Sequence, residues 1–510
     1  MANLDNPQGF YLGREYNLEK QEVLDEPVIY EPRDLTTHGV VVGMTGSGKT
    51  GLCISLLEEA ALDGIPTVIV DLKGDLSNLL LAFPNLRPED FEPWVDPDQT
   101  RRKDVSVEEY AREQSKAWRK GLKESGQSPE CIRRLREAAD WRVYTPGSEA
   151  GRSVSVVQTF AAPRGDLSRE LLNDKVEATA TAILGLTRID ADPVQSREYI
   201  LIANLLLNAW QEGRDLDLPR LIAEVQTPPL RKIGTFDVDM FYPEADRLQL
   251  AVTLNNLLAA PSFSTWITGE PLNLATMLAP GEGGRAKQLI FYLAHLDDSQ
   301  RMFFLTLLLQ ELLAWTRSLP GSTQLRALVY IDEVFGYLPP HPANPPTKIP
   351  LMTLMKQARA FGVGILLATQ NPVDLDYKAL TNAGTWFVGK LHTDRDKARL
   401  LEGLEGVAAE QGTLTDRGYL DTAISSLGNR VFLLHDVHRP DPLVFQTRWA
   451  LSYLYGPLTR DQLARVVKDR HAAEGTPSEP PAASVPTCSD CGARPPANAK
   501  FCPNCGAALH

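Results

Sequence analysis

Gly43-Met44-Thr45-Gly46-Ser47-Gly48-Lys49-Thr50 fits the pattern G-x-x-x-x-G-K-[ST] of a phosphate-binding loop. Its flanks are the ones such a loop needs. Gly39-Val40-Val41-Val42 ahead of it is a short apolar run, predicted to be a buried strand; Leu52 to Ala61 behind it is predicted to be a helix. A strand, a glycine-rich turn and a helix N-terminus bring backbone N–H groups and the positive end of a helix dipole to one point, where a polyphosphate fits. Gly43, Thr45, Gly46, Ser47 and Gly48 would cradle the phosphates of ATP. Lys49 would reach the β- and γ-phosphates, and Thr50 would place its hydroxyl on Mg2+.

Mg2+ keeps several waters and needs a carboxylate nearby. Leu328-Val329-Tyr330-Ile331-Asp332-Glu333 supplies one, as four apolar residues followed by two acids. Asp332 would sit in the Mg2+ shell and Glu333 would polarise the attacking water. Ala368-Thr369-Gln370-Asn371-Pro372 ends another apolar run on a neutral amide, so Gln370 would bond the γ-phosphate or orient the water. Thr67-Val68-Ile69-Val70-Asp71 ends on a carboxylate before Leu72-Lys73-Gly74-Asp75 turns the chain. Carboxyl ends of strands in open α/β sheets face the ligand crevice, which puts Asp71 and Lys73 near the nucleotide or a neighbouring subunit. A capped turn is the plainer alternative. Arg359 lies in a helix leading into the strand that ends at Gln370. At a subunit boundary it would insert into the neighbour's site; otherwise it is one exposed arginine among many.

The chain has 510 residues, 43% hydrophobic and 23% charged, as in a globular protein of several domains. It has no apolar run long enough for a transmembrane helix, and its N-terminus lacks the basic and apolar regions of a leader; a cytoplasmic, non-membrane protein is expected. The net charge of -13 argues against steering toward DNA by the overall field, though a narrow basic channel could still act locally. Of six cysteines, Cys53 is expected to pack as a small hydrophobe and four cluster near the C-terminus.

Taken in order, residues 1–34 form a polar, irregular extension with an extended piece at Pro27–Tyr30, too short for a separate domain and able to pack as an edge of the core. Residues 35–100 and 285–455 form the α/β core, interrupted by a mostly helical insertion at 101–284. The core has predicted strands at Lys287–Leu293, Ala327–Asp332, Gly364–Thr369, Thr385–Lys390 and Arg430–Leu434, and Trp141–Thr145 looks like another. Ser106 with Glu109, then Ser128-Pro129, start two helices. Between Arg101 and Arg142 there are twelve Lys or Arg against eight Asp or Glu. A solvated helical hairpin explains that excess, and a nucleic-acid or partner contact is the sharper reading. Residues 471–487 lack core-forming residues and are expected to be a flexible linker. In 488–510, Cys488-Ser489-Asp490-Cys491 and Cys502-Pro503-Asn504-Cys505 resemble the two knuckles of a zinc ribbon. Four thiolates make a closed, structural Zn2+ site, and so short a module needs the metal in order to fold. A disulfide pair is the alternative, disfavoured in a reducing compartment.

Together, Gly43–Thr50, Asp71–Asp75, Tyr330–Glu333, Gln357-Ala358-Arg359-Ala360-Phe361-Gly362 and Ala368–Pro372 resemble the HerA/FtsK superfamily. That resemblance implies a RecA-like P-loop NTPase core with a mainly parallel sheet, a homohexameric ring, and translocation on double-stranded DNA driven by ATP hydrolysis. It also implies that Arg359, in an R-x-x-G element, acts as a finger in trans. The loops Pro339–Ile349 and Asn371–Asn382 would face the channel, with Lys348 and Lys378 as their lysines. The chain departs from that family in having too little sequence before residue 35 for the β-barrel on which a partner nuclease docks. The rival reading is therefore a ring ATPase that remodels or regulates a protein partner, for example in phage defence, with the ribbon as docking module.

Overall fold

The computed structural model describes residues 4–5, 7–156, 162, 169–187, 189, 192–260, 263–391, 393–411 and 417–473. The expected zinc ribbon, with Cys488, Cys491, Cys502 and Cys505, and the linker beyond residue 473 lie outside them. Residues 1–463 form one compact unit and 464–510 a second.

Eleven strands form one sheet: β1 Phe10–Asn17, β2 Glu22–Tyr30, β3 Gly39–Val42, β4 Thr67–Asp71, β5 Ala139–Tyr144, β6 Ala286–Tyr292, β7 Ala327–Ile331, β8 Val363–Thr369, β9 Thr385–Val388, β10 Val431–Asp436 and β11 Leu443–Thr447. Their order is β2-β1-β11-β10-β9-β3-β8-β7-β4-β6-β5. From β9 to β5 the neighbours are parallel, and from β2 to β9 they are antiparallel. The central strands are buried along their whole length, as continuous apolar runs such as GVVV and ALVYI require when helices cover both faces. The expected α/β fold with a mainly parallel sheet is what the chain adopts.

The N-terminal stretch differs from the irregular extension expected of it. β1 and β2 form an antiparallel hairpin that extends the sheet by pairing β1 with β11. The extended piece at Pro27–Tyr30 does pack at the edge of the core, as part of β2, and the polar texture has its reason in that position: the edge strand exposes most of its first six residues. The insertion also contributes to the core. Trp141 lies in β5, which pairs in parallel with β6 and closes the opposite edge of the sheet. The helices expected in this segment are present: α2 Val107–Glu124, α3 Pro129–Ala138, α4 Arg169–Leu186, α5 Arg197–Gln211, α6 Leu218–Gln226 and α7 Glu244–Ala259. α2 opens with the predicted capping box between Ser106 and Glu109. The apolar faces of α4 to α7 join the same continuous core as the sheet.

The helix after the P-loop, α1 Lys49–Leu62, is anchored by a buried ion triad. The Arg448 guanidinium pairs with Glu58 at 2.9 Å and Glu59 at 2.8 Å, and all three side chains are almost wholly buried. Their remaining hydrogen-bonding capacity is used across the chain. Glu58 accepts from the backbone N–H groups of Leu451 and Ser452, Glu59 accepts from that of Tyr11, and Arg448 donates to the Tyr11 and Ser55 carbonyls. One cluster thus ties α1 to the edge hairpin and to the segment after β11. Beside it, Trp449 packs edge-on against Trp118 of α2. Gly121 makes room for the indole, since a Cβ there would lie 2.2 Å from the Trp449 ring.

Removing one partner of a buried ion pair leaves uncompensated charge. Arg448→Met, which strands two buried carboxylates, is expected to destabilise the fold by about 3–5 kcal/mol, measured as the shift in the midpoint of chemical denaturation. An unchanged midpoint would show that the triad does not anchor α1.

Candidate nucleotide-binding site

Sheet register builds the site. In the parallel pairs Val42 lies opposite Thr369, Ile331 opposite Leu367, and Val70 opposite Ile331. The strands therefore end at nearly one level. Gly43, Gln370, Asp332 with Glu333, and the Lys73 loop all rise from the same carboxyl edge, where α/β sheets bind ligands. The P-loop is pinned there by its backbone. Gly43 N–H donates to the Thr369 carbonyl, Met44 N–H to that of Lys390, and Arg430 N–H to that of Ser47. Gly48 must be glycine on two counts: its φ is +95°, and a Cβ would lie 3.1 Å from the Arg430 backbone.

At the centre is Oε1 of Glu333. It accepts from Lys49 Nζ at 2.5 Å, Lys73 Nζ at 2.8 Å and Gln370 Nε2 at 2.8 Å. Oε1 of Gln370 in turn accepts from the Thr45 hydroxyl at 2.9 Å, so the amide joins the carboxylate to the P-loop. Glu333 itself has φ +45° and ψ +53°, a left-handed conformation costing a non-glycine residue about 1–3 kcal/mol. Burial alone would push its carboxyl up; the ammonium groups of Lys49 and Lys73 and the Gln370 amide hold it below the usual value. Asp332 has no such company. Burial, with Asp75 and Glu333 adding to it against the pull of Lys49, raises it to about 6, and its Oδ1 accepts from the Tyr330 hydroxyl.

The Lys73 loop is rigid. Asp71 is fully buried and accepts from Gly74 N–H at 2.6 Å and from the backbone and hydroxyl of Ser77. Asp71 thus has the capped-turn role, whereas Lys73 reaches the site. Asp75, Asp332 and Glu333 set three carboxylates against two lysines, and Asp75 Oδ1 is buried with no hydrogen-bond partner among the described residues. That donor set, with the Thr50 hydroxyl on the cavity wall, fits a hard dication such as Mg2+.

The cavity over the P-loop has a volume of about 540 Å³. Its outer wall joins Trp118, Arg430, Trp449 and Leu454 to the loop residues. The Arg430 guanidinium lies 4.9 Å from the Trp449 ring centroid. None of this wall was expected, because it joins α2 to a segment more than 300 residues later in the chain and carries no local motif.

Two expected residues stand elsewhere. Arg359 lies just ahead of β8, at the amino edge of the sheet, in a separate cavity with Glu31, Lys356 and His438. A seven-residue strand separates it from Gln370, roughly 20 Å at the usual rise, so it does not reach the P-loop of its own chain. Lys348, expected on a channel loop, opens the helix Lys348–Gln357 with its ammonium buried on Asp376 at 2.8 Å. It is not free to contact a polyanion. His38 is structural, its Nδ1 accepting from Ile365 N–H. Cys53 is fully buried, which pushes its thiol up to about 12.

Residues 26–145 match the family model described as "Helicase HerA, central domain". That segment includes the P-loop and the Lys73 loop. Among solved structures, the chain is similar to the plasmid coupling protein TrwB in complex with ADP and Mg2+, at 13% identity and a TM-score of 0.50, over 89% of this chain and 99% of that one. It is also similar to VirB4 of Thermoanaerobacter pseudethanolicus, at 12% identity and a TM-score of 0.48, over 88% and 98%. No curated protein matches in sequence. The expected resemblance to the HerA/FtsK superfamily is borne out by the family match, and the RecA-like P-loop fold by the TrwB likeness. Among the described residues no helix is long and apolar enough to cross a membrane.

Burial, with Asp75 and Asp332 adding to it, lifts Asp71 from 3.8 to about 8 against the hydrogen bonds from Gly74 and Ser77. A carboxyl raised in the folded state contributes stability below its unfolded value that is lost as pH rises through its folded value. Thermal midpoints should therefore fall between about pH 4 and pH 8. Asp71→Asn should flatten that fall, and an identical pH dependence in wild type and variant would contradict the assignment.

Proposed function

We propose that this chain is a Mg2+-dependent ATPase that works as a homohexameric ring moving on double-stranded DNA. The observation that carries the reading is the connected set Thr45–Gln370–Glu333–Lys49 on the carboxyl edge of the sheet. ATP would lie along the P-loop with its phosphates on the backbone N–H groups of Gly46, Ser47, Gly48 and Lys49, and its base toward Arg430 and Leu454. Lys49 would turn to the β- and γ-phosphates. Glu333, kept ionised, would accept a hydrogen bond from the attacking water and polarise it, and Gln370 would orient that water against the γ-phosphate. Thr50 and Asp332 would hold Mg2+, with Asp75 beside them; when bound, the ion would neutralise charge that builds up on the phosphates.

Arg359 belongs to the trans part of the proposal. It stands at the amino edge, away from its own P-loop, and would complete a neighbour's site in a ring. Such a finger is worth about 10^3–10^5 in rate, or roughly 4–7 kcal/mol. Cys488, Cys491, Cys502 and Cys505 would bind one structural Zn2+. A cytoplasmic setting follows from the same reading.

The buried Lys348 and the net charge of -13 favour a second reading, a ring ATPase acting on a protein partner, a nuclease among the candidates. Duplex DNA separates the two. The DNA reading expects ATP turnover to rise severalfold with long duplex at low salt and the rise to vanish as salt is added. Turnover indifferent to DNA would leave the protein partner.

Lys49→Ala chains and Arg359→Ala chains should each be inactive, and mixing them should restore turnover. No recovery in mixed rings would contradict the trans role of Arg359, and a monomer mass with and without ATP would contradict the ring. One zinc per chain by elemental analysis, lost in Cys488→Ser with Cys491→Ser, checks the ribbon.

A further inference from the structure

Two lysines on one carboxylate oxygen are more than that carboxylate needs. Lys49 and Lys73 both donate to Oε1 of Glu333, at 2.5 Å and 2.8 Å, while Gln370 supplies a third, neutral donor. The two cations come from different places. Lys49 is 7% exposed and nested in the P-loop; Lys73 is 43% exposed and projects from the rigid turn after β4. A triphosphate on the P-loop competes for Lys49, whose ammonium is the one its β- and γ-phosphates claim. It has no equivalent claim on Lys73, whose backbone is fixed by the Asp71 hydrogen bonds to Gly74 and Ser77.

Resting on the ATPase reading, we propose that Lys73 is the positioning residue that keeps Glu333 aligned as a carboxylate after ATP draws Lys49 away. Glu333 is 5% exposed and flanked by the carboxylates of Asp332 and Asp75. With Lys49 gone and no other cation, that carboxylate would be stranded, because a buried unpaired charge is strongly unfavourable. Lys73 fills the gap and leaves the orientation toward Gln370 intact. Two states follow. Without nucleotide, Lys49, Lys73 and Gln370 share Oε1 and the Lys49–Glu333 pair blocks the phosphate-binding ammonium. With nucleotide, Lys49 serves the phosphates while Lys73 and Gln370 keep the carboxylate in place. Lys73 touches neither phosphate nor water in this account; it acts through Glu333.

Wild type, Lys73→Met, Lys73→Arg, Glu333→Gln and the double variant Lys73→Met with Glu333→Gln test the assignment. Steady-state turnover and the Kd of a fluorescent ATP analogue are both read. Turnover of Lys73→Met is expected to fall about 10²-fold, the lower end of what a positioned base contributes, with the analogue's Kd within about twofold of wild type. Lys73→Arg should recover most of the loss. The double variant should turn over no more slowly than Glu333→Gln alone, since a residue acting only through Glu333 has nothing left to position. Three results would overturn the proposal: wild-type turnover in Lys73→Met, a Kd weakened as much as turnover falls, or losses that multiply in the double variant. A wild type that hydrolyses no ATP would instead overturn the ATPase reading, and this proposal with it.

Discussion

One buried carboxylate oxygen organises the site. Oε1 of Glu333 accepts from two ammonium groups and an amide that arrive from three separate strand ends. A charge so deeply buried needs that company, since desolvation outweighs any single exposed ion pair. The parallel register supplies it: Val42, Val70, Ile331 and Thr369 finish at one level, so the residues that follow meet without long loops. The left-handed backbone at Glu333 stores local strain at that meeting point. Strain of this kind persists only where its surroundings over-determine it, and here they do. The P-loop is pinned by three backbone hydrogen bonds, and α1 is locked from behind by Arg448, Glu58 and Glu59.

The geometry also separates two groups of residues along the length of the strands. Nucleotide chemistry gathers at the carboxyl edge, while Arg359 stands at the amino edge beside Glu31 and His438. A chain built this way can complete its own near side but cannot bring its own arginine to its own phosphates. Assembly is thus where the account gains or loses its motor. The nucleotide's outer wall has a different origin. Arg430 immediately precedes β10, Trp449 and Leu454 follow β11, and Trp118 comes from the helical hairpin. Residues far from the P-loop in sequence therefore complete the wall of the cavity over it.

Local chemistry was legible in the sequence, and long-range packing was not. Gly43–Thr50, Asp332, Glu333 and Gln370 each sit at the end of an apolar run, and periodicity alone located those runs. The central parallel strands followed from the same signal, because burial on both faces leaves an uninterrupted apolar stretch. Of the edge hairpin only the extended piece at Pro27–Tyr30 is legible, because an edge strand exposes polar residues and β1 carries no alternating pattern of its own. Lys348 looked like a free cation in a proline-rich loop, and only the fold could bring Asp376 against it. The Arg448 triad and the Gly121–Trp449 contact join residues more than 300 positions apart, where no spacing rule reaches. Lys73 lay between: its place at a strand end put it near the crevice, but its bond to Glu333 depends on the register of β7 against β4.

The most direct test of the central claim is the pairing of ATP binding with ATP turnover in Glu333→Gln. The variant keeps the shape of the side chain and removes the charge that Lys49 and Lys73 share. It should bind ATP at least as tightly as wild type, because Lys49 is no longer held by a carboxylate, and should turn it over at least 10²-fold more slowly, in line with the loss of a positioned base. Wild-type turnover in that variant, with binding intact, would show that Glu333 is not the residue around which this site works.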